Sequence, residues 1–201
     1  MQTSPPDPAA GAKLALRDQL NTARRRLPLA EVATRAEQIA DHLLNTPEVA
    51  RAASLAAYVS IGTEPGTGLL IERLVAAGKR VLLPVVLPDL DLDWAWYDGP
   101  GSLAVARRGL LEPVGPRLGV NAIGTPDAVL APGLAVDKHG WRLGQGGGCY
   151  DRALARVPVG TFVCAMIYAS ELLDSVPRSA HDRPVLAAVT EAGLRRFRRP
   201  V

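Results

Sequence analysis

The sequence predicts an α/β fold: a mainly parallel sheet with helices on both faces, a Rossmann-like three-layer arrangement opened by an N-terminal helical hairpin. Three observations predict it. Apolar residues recur at helical spacing up to about residue 45 and then switch to short, continuously apolar runs. A strand, a helix and a strand follow one another over residues 54–86 as a βαβ unit. The chain has 201 residues, 48% of them hydrophobic, enough for the core of one domain, and no linker divides it. The domain is therefore read as 1–201, with a flexible lead-in over 1–12 and a basic tail over 195–201.

Each element follows from its residues. Leu16, Leu20, Ala23 and Leu27 mark one buried face of a first helix that Pro28 interrupts. Val32, Ala36, Ile39 and Leu43 mark a second that ends near Pro47. SLAAYVS (54–60) and KRVLLPVV (79–86) read as buried strands, with GLLIERLVAAG (68–78) as a helix closed by Gly78. LDWAWY alternates as a strand, and DAVLAPGLAVD (127–137) supplies one central apolar strand. A short helix through Tyr150 and Leu154 leads to TFVCAMIY (161–168), and a last strand lies near VLAAVT (185–190). Residues 99–126, rich in Pro and Gly, read as a surface excursion.

Composition narrows the function classes. Lys and Arg number 23 against 20 Asp and Glu, and much of the excess sits in Arg195, Arg196, Arg198 and Arg199, so nothing spread over the fold suggests nucleic acid. Cys149 and Cys164 have neither zinc-site spacing nor the density of a disulfide framework, which points to a reducing cytoplasm. The N-terminus lacks the pattern of a signal peptide, and no apolar run approaches the ~18 residues of a membrane span.

RLGQGGGCYDR, residues 142–152, concentrates bare backbone between arginines and an aspartate. No lysine follows the glycines as a P-loop requires. A GxGxxG fingerprint fails at Cys149 and stands too far from its strand. A nest of N–H groups opening a helix over 146–154 suits an anion, with Arg142 and Arg152 adding forked hydrogen bonds to phosphate. Asp151 beside a polyphosphate calls for a cation between them, and Mg2+ takes one or two carboxylates plus phosphate oxygens. The residues alone leave a second reading open, in which the glycines make a tight turn and Asp151 answers the helix dipole.

With KLALR (13–17), Tyr58 to Glu64 as Y-x5-E, LLPVV, Glu112-Pro113, PGLAVD, the glycine turn and His181-Asp182 in this order, the sequence resembles the 5-formyltetrahydrofolate cyclo-ligase family from Lys13 to about Glu191. The resemblance implies ATP- and Mg2+-dependent closure of 5-formyltetrahydrofolate to 5,10-methenyltetrahydrofolate, through phosphorylation of the formyl oxygen and attack by N10. It implies a small-molecule substrate, with or without a polyglutamate tail; alongside it, composition gives the expectation of a cytoplasmic protein with neither nucleic acid nor membrane as partner, and a monomer is expected.

Residue by residue, the resemblance assigns ATP to Lys13, Arg17, Arg142, Leu143, Gly144, Gln145, Gly146, Gly147, Gly148, Cys149, Tyr150 and Arg152. Arg142 and Asp151 become the catalytic pair, and Asp151 and Asp182 the metal carboxylates. Glu64 becomes the acceptor for the amino and ring N–H groups of a pterin, with Tyr150 and Tyr168 beside the substrate. Lys13, Arg17 and Arg24 lie within roughly 40° on the first helix, but Arg24, Arg25 and Arg26 are read as a solvated face. Trp94 and Trp96 are candidates for a flat wall at the folate, although aromatics at period two are usually core. His181 is assigned no role, and Cys164 reads as buried and inert. Cys149, Gln145 and Glu171 stand where the family often carries an aromatic residue, Tyr or Arg, and Gln. Cys149 and Gln145 motivate an alternative: a folate- or nucleotide-binding paralogue with little or no turnover.

Overall fold

Prolines set the first boundaries. The residue before a proline is pushed out of the α region; helix α1 (Ala10–Arg25) stops short of Pro28, which stands with extended backbone (φ −62°, ψ 143°) at the N-cap of α2 (Leu29–Leu44). Pro47 opens the short α3 (Pro47–Arg51), where a missing N–H is tolerated. The structure, a computed structural model, describes residues 9–106 and 109–198. Of the lead-in expected over 1–12, residues 1–8 lie outside this range and residues 10–12 are already the first turn of α1.

The strands are β1 (Ser54–Ala56), β2 (Arg80–Val86), β3 (Leu92–Trp96), β6 (Ala128–Pro132), β9 (Phe162–Met166), β11 (Ala187–Thr190) and β12 (Gly193–Arg196). They form one sheet in the order β12-β11-β9-β6-β1-β2-β3, parallel from β11 to β2, with β3 and β12 as antiparallel edges. Period two is visible in what each residue touches. Leu55, Val81, Leu83, Leu130, Cys164 and Val189 face one way, against Ile39 and Leu43 of α2 and Leu70 and Leu74 of α4 (Gly68–Ala76). Ala56, Leu82, Val129, Val163, Ala165 and Ala188 face the other way, against Ala153 and Leu154 of α5 (Cys149–Leu154) and Ile123 of a 3-10 turn. Both faces are buried, so the runs read as continuously apolar. Truncating a fully buried leucine such as Leu43 or Leu130 to alanine costs about 2–5 kcal/mol. Gly78 ends α4 at φ +77°, a left-handed conformation open to glycine.

Three expectations are revised. DAVLAPGLAVD is two strands in two sheets: after Pro132 the chain leaves the large sheet, and β7 (Ala135–Asp137) joins β8 (Arg142–Leu143) and β10 (Leu172–Leu173). The 99–126 stretch holds an antiparallel hairpin of β4 (Leu103–Val105) and β5 (Leu111–Pro113), with residues 107–108 outside the described range. Arg195 and Arg196 are edge-strand residues rather than tail, and Arg196 forks onto Glu48 at 2.6 and 2.8 Å; Arg199 lies outside the described residues. The opening helices take different supports. Leu20 of α1 packs on Leu134, Ala135, Leu143 and Val176 around the small sheet, whereas α2 packs on the large one.

Candidate active site

The strand order reverses between β1 and β6: from β1 the chain moves to β2 on one side, and later places β6 on the other. Such a switch point leaves a crevice outside the carboxyl ends of the strands. A cavity of about 430 Å3 lies there, bounded by the segment after β1 (Tyr58 to Glu64), by Pro132 at the end of β6 and Gly133 just beyond it, by the glycine turn and by α1 across the top.

The glycines of the turn have separate reasons. A Cβ on Gly144 would come within 2.8 Å of Arg142 Nη1, and one on Gly146 within 3.3 Å of Arg17 Cζ. Gly146 and Gly148 also take φ of +107° and +67°. The turn is bare because two guanidinium groups pass against it and because its path is left-handed. Helix α5 begins only at Cys149, with Gly148 as N-cap, so the expected helix over 146–154 loses its first turn. With six residues its dipole is short, and side chains must carry more of any anion binding. The N–H groups of Gly146 and Gly147 donate to no acceptor among the described residues.

Arg142 is the centre of the site. It is 4% exposed, donates from Nη1 to the Pro132 carbonyl (3.1 Å) and from Nη2 to Asp151 Oδ1 (2.8 Å), and its Nε has no partner among the described residues. Asp151 keeps about a fifth of its side chain exposed, at 21%. From α1, Lys13 and Arg17 both reach the cavity. Arg17 Nε donates to the Gly144 carbonyl at 2.8 Å. Lys13 Nζ donates to Ser179 Oγ (2.5 Å) and to both oxygens of Asp182 (3.0 and 2.7 Å). Asp182 Oδ2 also accepts from the Ser179 N–H. Asp182 therefore has its charge answered by a lysine, not held open for a metal. Among the described residues, no three His, Cys, Asp or Glu side chains converge as a protein-only metal cage. Asp151, partly exposed to the cavity, suits an ion shared with phosphate oxygens; Asp182 does not unless Lys13 releases it.

Arg24 overturns its reading as a solvated residue. It is 2% exposed and forks onto Glu171 (2.6 and 2.8 Å), with Nη2 also donating to the Gly133 carbonyl at 2.7 Å. Arg25 and Arg26 are exposed. Glu171, one of the departures from the family pattern, is thus the carboxylate that makes burial of Arg24 tolerable, and it accepts the Tyr168 N–H as well. Tyr168 is not a cavity residue. Its ring lies under Arg24 and Arg35, and its hydroxyl donates to the Thr63 carbonyl (3.1 Å), next to Glu64; burial pushes the phenol up to about 12.

Glu64 is at the cavity, where its carboxylate accepts the Ile61 N–H at 3.0 Å; burial raises its pKa above the ordinary range, opposed by that N–H and by Arg24. Leu143, Gln145, Cys149 and Tyr150 line the cavity as well, whereas Arg152 does not. Arg152 is exposed and staples the turn from outside, donating to the carbonyls of Gly147 (2.8 Å) and Leu90 (2.6 Å). Trp94 is wholly buried and packs edge-on to Tyr150 at 6.5 Å, and Trp96 lies under Arg80, so both indoles are core or sheet-surface residues. Cys164 is buried. Tyr58, Ser179 and Glu112 line the cavity without having been assigned a role. Tyr58 opens the same Y-x5-E stretch that ends in Glu64.

Comparison with known proteins adds a family. Residues 9–191 match the model for the 5-formyltetrahydrofolate cyclo-ligase family. A 5-formyltetrahydrofolate cyclo-ligase of Mycolicibacterium smegmatis is 40% identical over 176 residues, covering 85% of this chain and 89% of the relative. That of Escherichia coli is 33% identical over 77% of this chain and 86% of its own. The solved structure of Aquifex aeolicus 5,10-methenyltetrahydrofolate synthetase superposes with a TM-score of 0.80 at 31% identity, covering 94% of both chains.

Proposed function

Because the chain belongs to the 5-formyltetrahydrofolate cyclo-ligase family, and with it to the ligases, we propose that it closes 5-formyltetrahydrofolate to 5,10-methenyltetrahydrofolate while converting ATP to ADP and phosphate. One juxtaposition carries the reading. The same cavity presents Lys13, Arg17 and Arg142 around a glycine turn on one side and an acceptor, Glu64, on the other. A polyphosphate and a heterocycle bearing N–H groups can thereby meet in one space.

The formyl oxygen attacks the γ-phosphorus and ADP departs, leaving an iminium carbon that carries a phosphate group. N10 attacks that carbon and loses its proton, and phosphate leaves with the C–O bonding pair to give the methenyl bridge. The protein's work is positioning and charge neutralisation. Arg142, with its unpartnered Nε, faces the phosphoryl group, and Arg17 and Lys13 face the rest of the polyphosphate. Glu64 holds the pterin edge. Asp151 would hold Mg2+ together with phosphate oxygens, and the ion's contribution there is neutralisation of phosphate charge. The reading carries with it a cytoplasmic monomer.

The test is to mix the protein with Mg-ATP and 5-formyltetrahydrofolate and follow the methenyl chromophore in the near ultraviolet. A time-dependent rise that requires both substrates is expected. No rise, with either ligand still bound in titration, would replace this reading by a binding paralogue, for which Cys149 and Gln145 supply the motive.

A further inference from the structure

Four side-chain polar atoms are buried without a hydrogen-bond partner among the described residues: Tyr58 Oη, Trp94 Nε1, Arg142 Nε and Tyr150 Oη. Buried polar groups are nearly always paired, because the water they leave must be replaced. Three of the four belong to residues lining one cavity, and the fourth packs against Tyr150. The orphaned groups are therefore concentrated where a ligand would satisfy them.

Tyr58 is the one for which no role has been given. It follows β1 at the switch point, its ring is packed in the core on the α2 and α4 side, and the residue is 4% exposed. Burial, and next the charge of Glu64, hold its phenol well above the ordinary range. Its hydroxyl is thus a donor throughout the working pH range, beside a carboxylate that in its ionised form can only accept. These two chemistries are complementary. The lactam edge of a pterin offers N–H donors and, adjacent to them, a ring carbonyl acceptor. A carboxylate can take the first but repels the second.

Resting on the proposed function, we propose that Tyr58 is a substrate-contacting residue whose hydroxyl donates to the pterin ring carbonyl while Glu64 accepts from the neighbouring N–H groups. Specificity for an oxo-pterin over an amino-substituted one would then reside in this pair.

The experiment compares wild type with Tyr58→Phe, which keeps the packed ring. Because the hydroxyl has no protein partner, the thermal midpoint should stay equal or rise; a fall of several degrees would show that the hydroxyl serves the fold and would overturn the proposal. In titrations, affinity for 5-formyltetrahydrofolate should fall about tenfold while affinity for ATP is unchanged. Equal folate affinity in the two proteins overturns the proposal and leaves the enzyme reading intact, whereas a wild type that binds no folate overturns the enzyme reading first. A 4-amino-4-deoxy analogue, lacking the carbonyl, locates the contact: the two proteins should bind it equally. A tenfold difference there would put the hydroxyl on another atom.

Discussion

Arg24 and Arg142 are both nearly withdrawn from solvent, yet they sit in opposite kinds of surroundings. Arg24 leaves no buried nitrogen without a partner among the described residues: Glu171 takes Nε and Nη2, the Gly133 carbonyl takes Nη2 again, and the Tyr168 ring lies beneath it. Arg142 is held by a carbonyl and a partly exposed carboxylate and keeps Nε idle; its Cζ lies 6.0 Å from the ring centre of Tyr150, whose hydroxyl is idle as well. Burial of charge does not by itself separate scaffold from site. What separates them is whether the protein leaves a buried donor of the group without a partner.

The comparison can be broken at either end. Glu171→Ala strands the Arg24 guanidinium in the interior, and breaking a buried pair this way should cost about 3–5 kcal/mol in chemical denaturation. Glu171→Gln, which keeps an acceptor, should cost clearly less. A loss below about 1 kcal/mol in the alanine variant would mean that the pair is no part of the scaffold. At the other end, Arg142→Ala should lower kcat by about 10²- to 10³-fold, the loss seen when a donor aimed at developing charge is removed. Circular dichroism should still show a folded protein, and unaltered turnover would move the phosphoryl group away from Arg142.

A smaller effect sharpens the comparison through pH. Burial raises the Glu64 pKa, so the folded state favours the protonated carboxyl. The stability this contributes is complete below the unfolded pKa and is lost as pH rises through the raised folded value. Glu64→Gln has no such loss, so its thermal midpoint relative to wild type should increase between pH 4 and pH 8. Over the same window wild-type affinity for 5-formyltetrahydrofolate should increase, because ligand N–H groups favour the carboxylate; a flat profile would remove Glu64 from the pterin.

Much of the scaffold was legible because burial on both faces makes the strands short, continuously apolar runs, in which Leu55, Val81 and Val129 sit. The break inside DAVLAPGLAVD was less legible, since Pro132 and Gly133 interrupt a run whose apolar character continues into the second sheet. At the site, the glycine turn and Asp151 are neighbours in sequence, whereas Glu64 enters only through the family resemblance; all of them line one cavity. Arg24 could not be placed from sequence. A helical wheel places it in one row with Lys13 and Arg17 but carries no trace of Glu171, 147 positions away. The positions of Tyr168 and Arg152 outside the cavity lining could not be read for the same reason: their partners, the Thr63 and Leu90 carbonyls, are backbone atoms that no side-chain motif encodes.

The attachments of α1 have a consequence for the order in which the molecule can be made. Lys13 reaches Asp182, Arg17 reaches Gly144 and Arg24 reaches Glu171, across chain separations of 169, 127 and 147 positions. Helix α1 is made before Gly144, Glu171 and Asp182, and its charges have to wait for each of them in turn before they find their partners. Contacts so distant in sequence form late and slow folding. Until then its exposed cations and apolar stripe are open to other binders. A nascent chain halted before Glu171 would have its central strands β1, β2, β6 and β9 and the Gly144 partner of Arg17, but no seat for Arg24 and no Asp182 for Lys13.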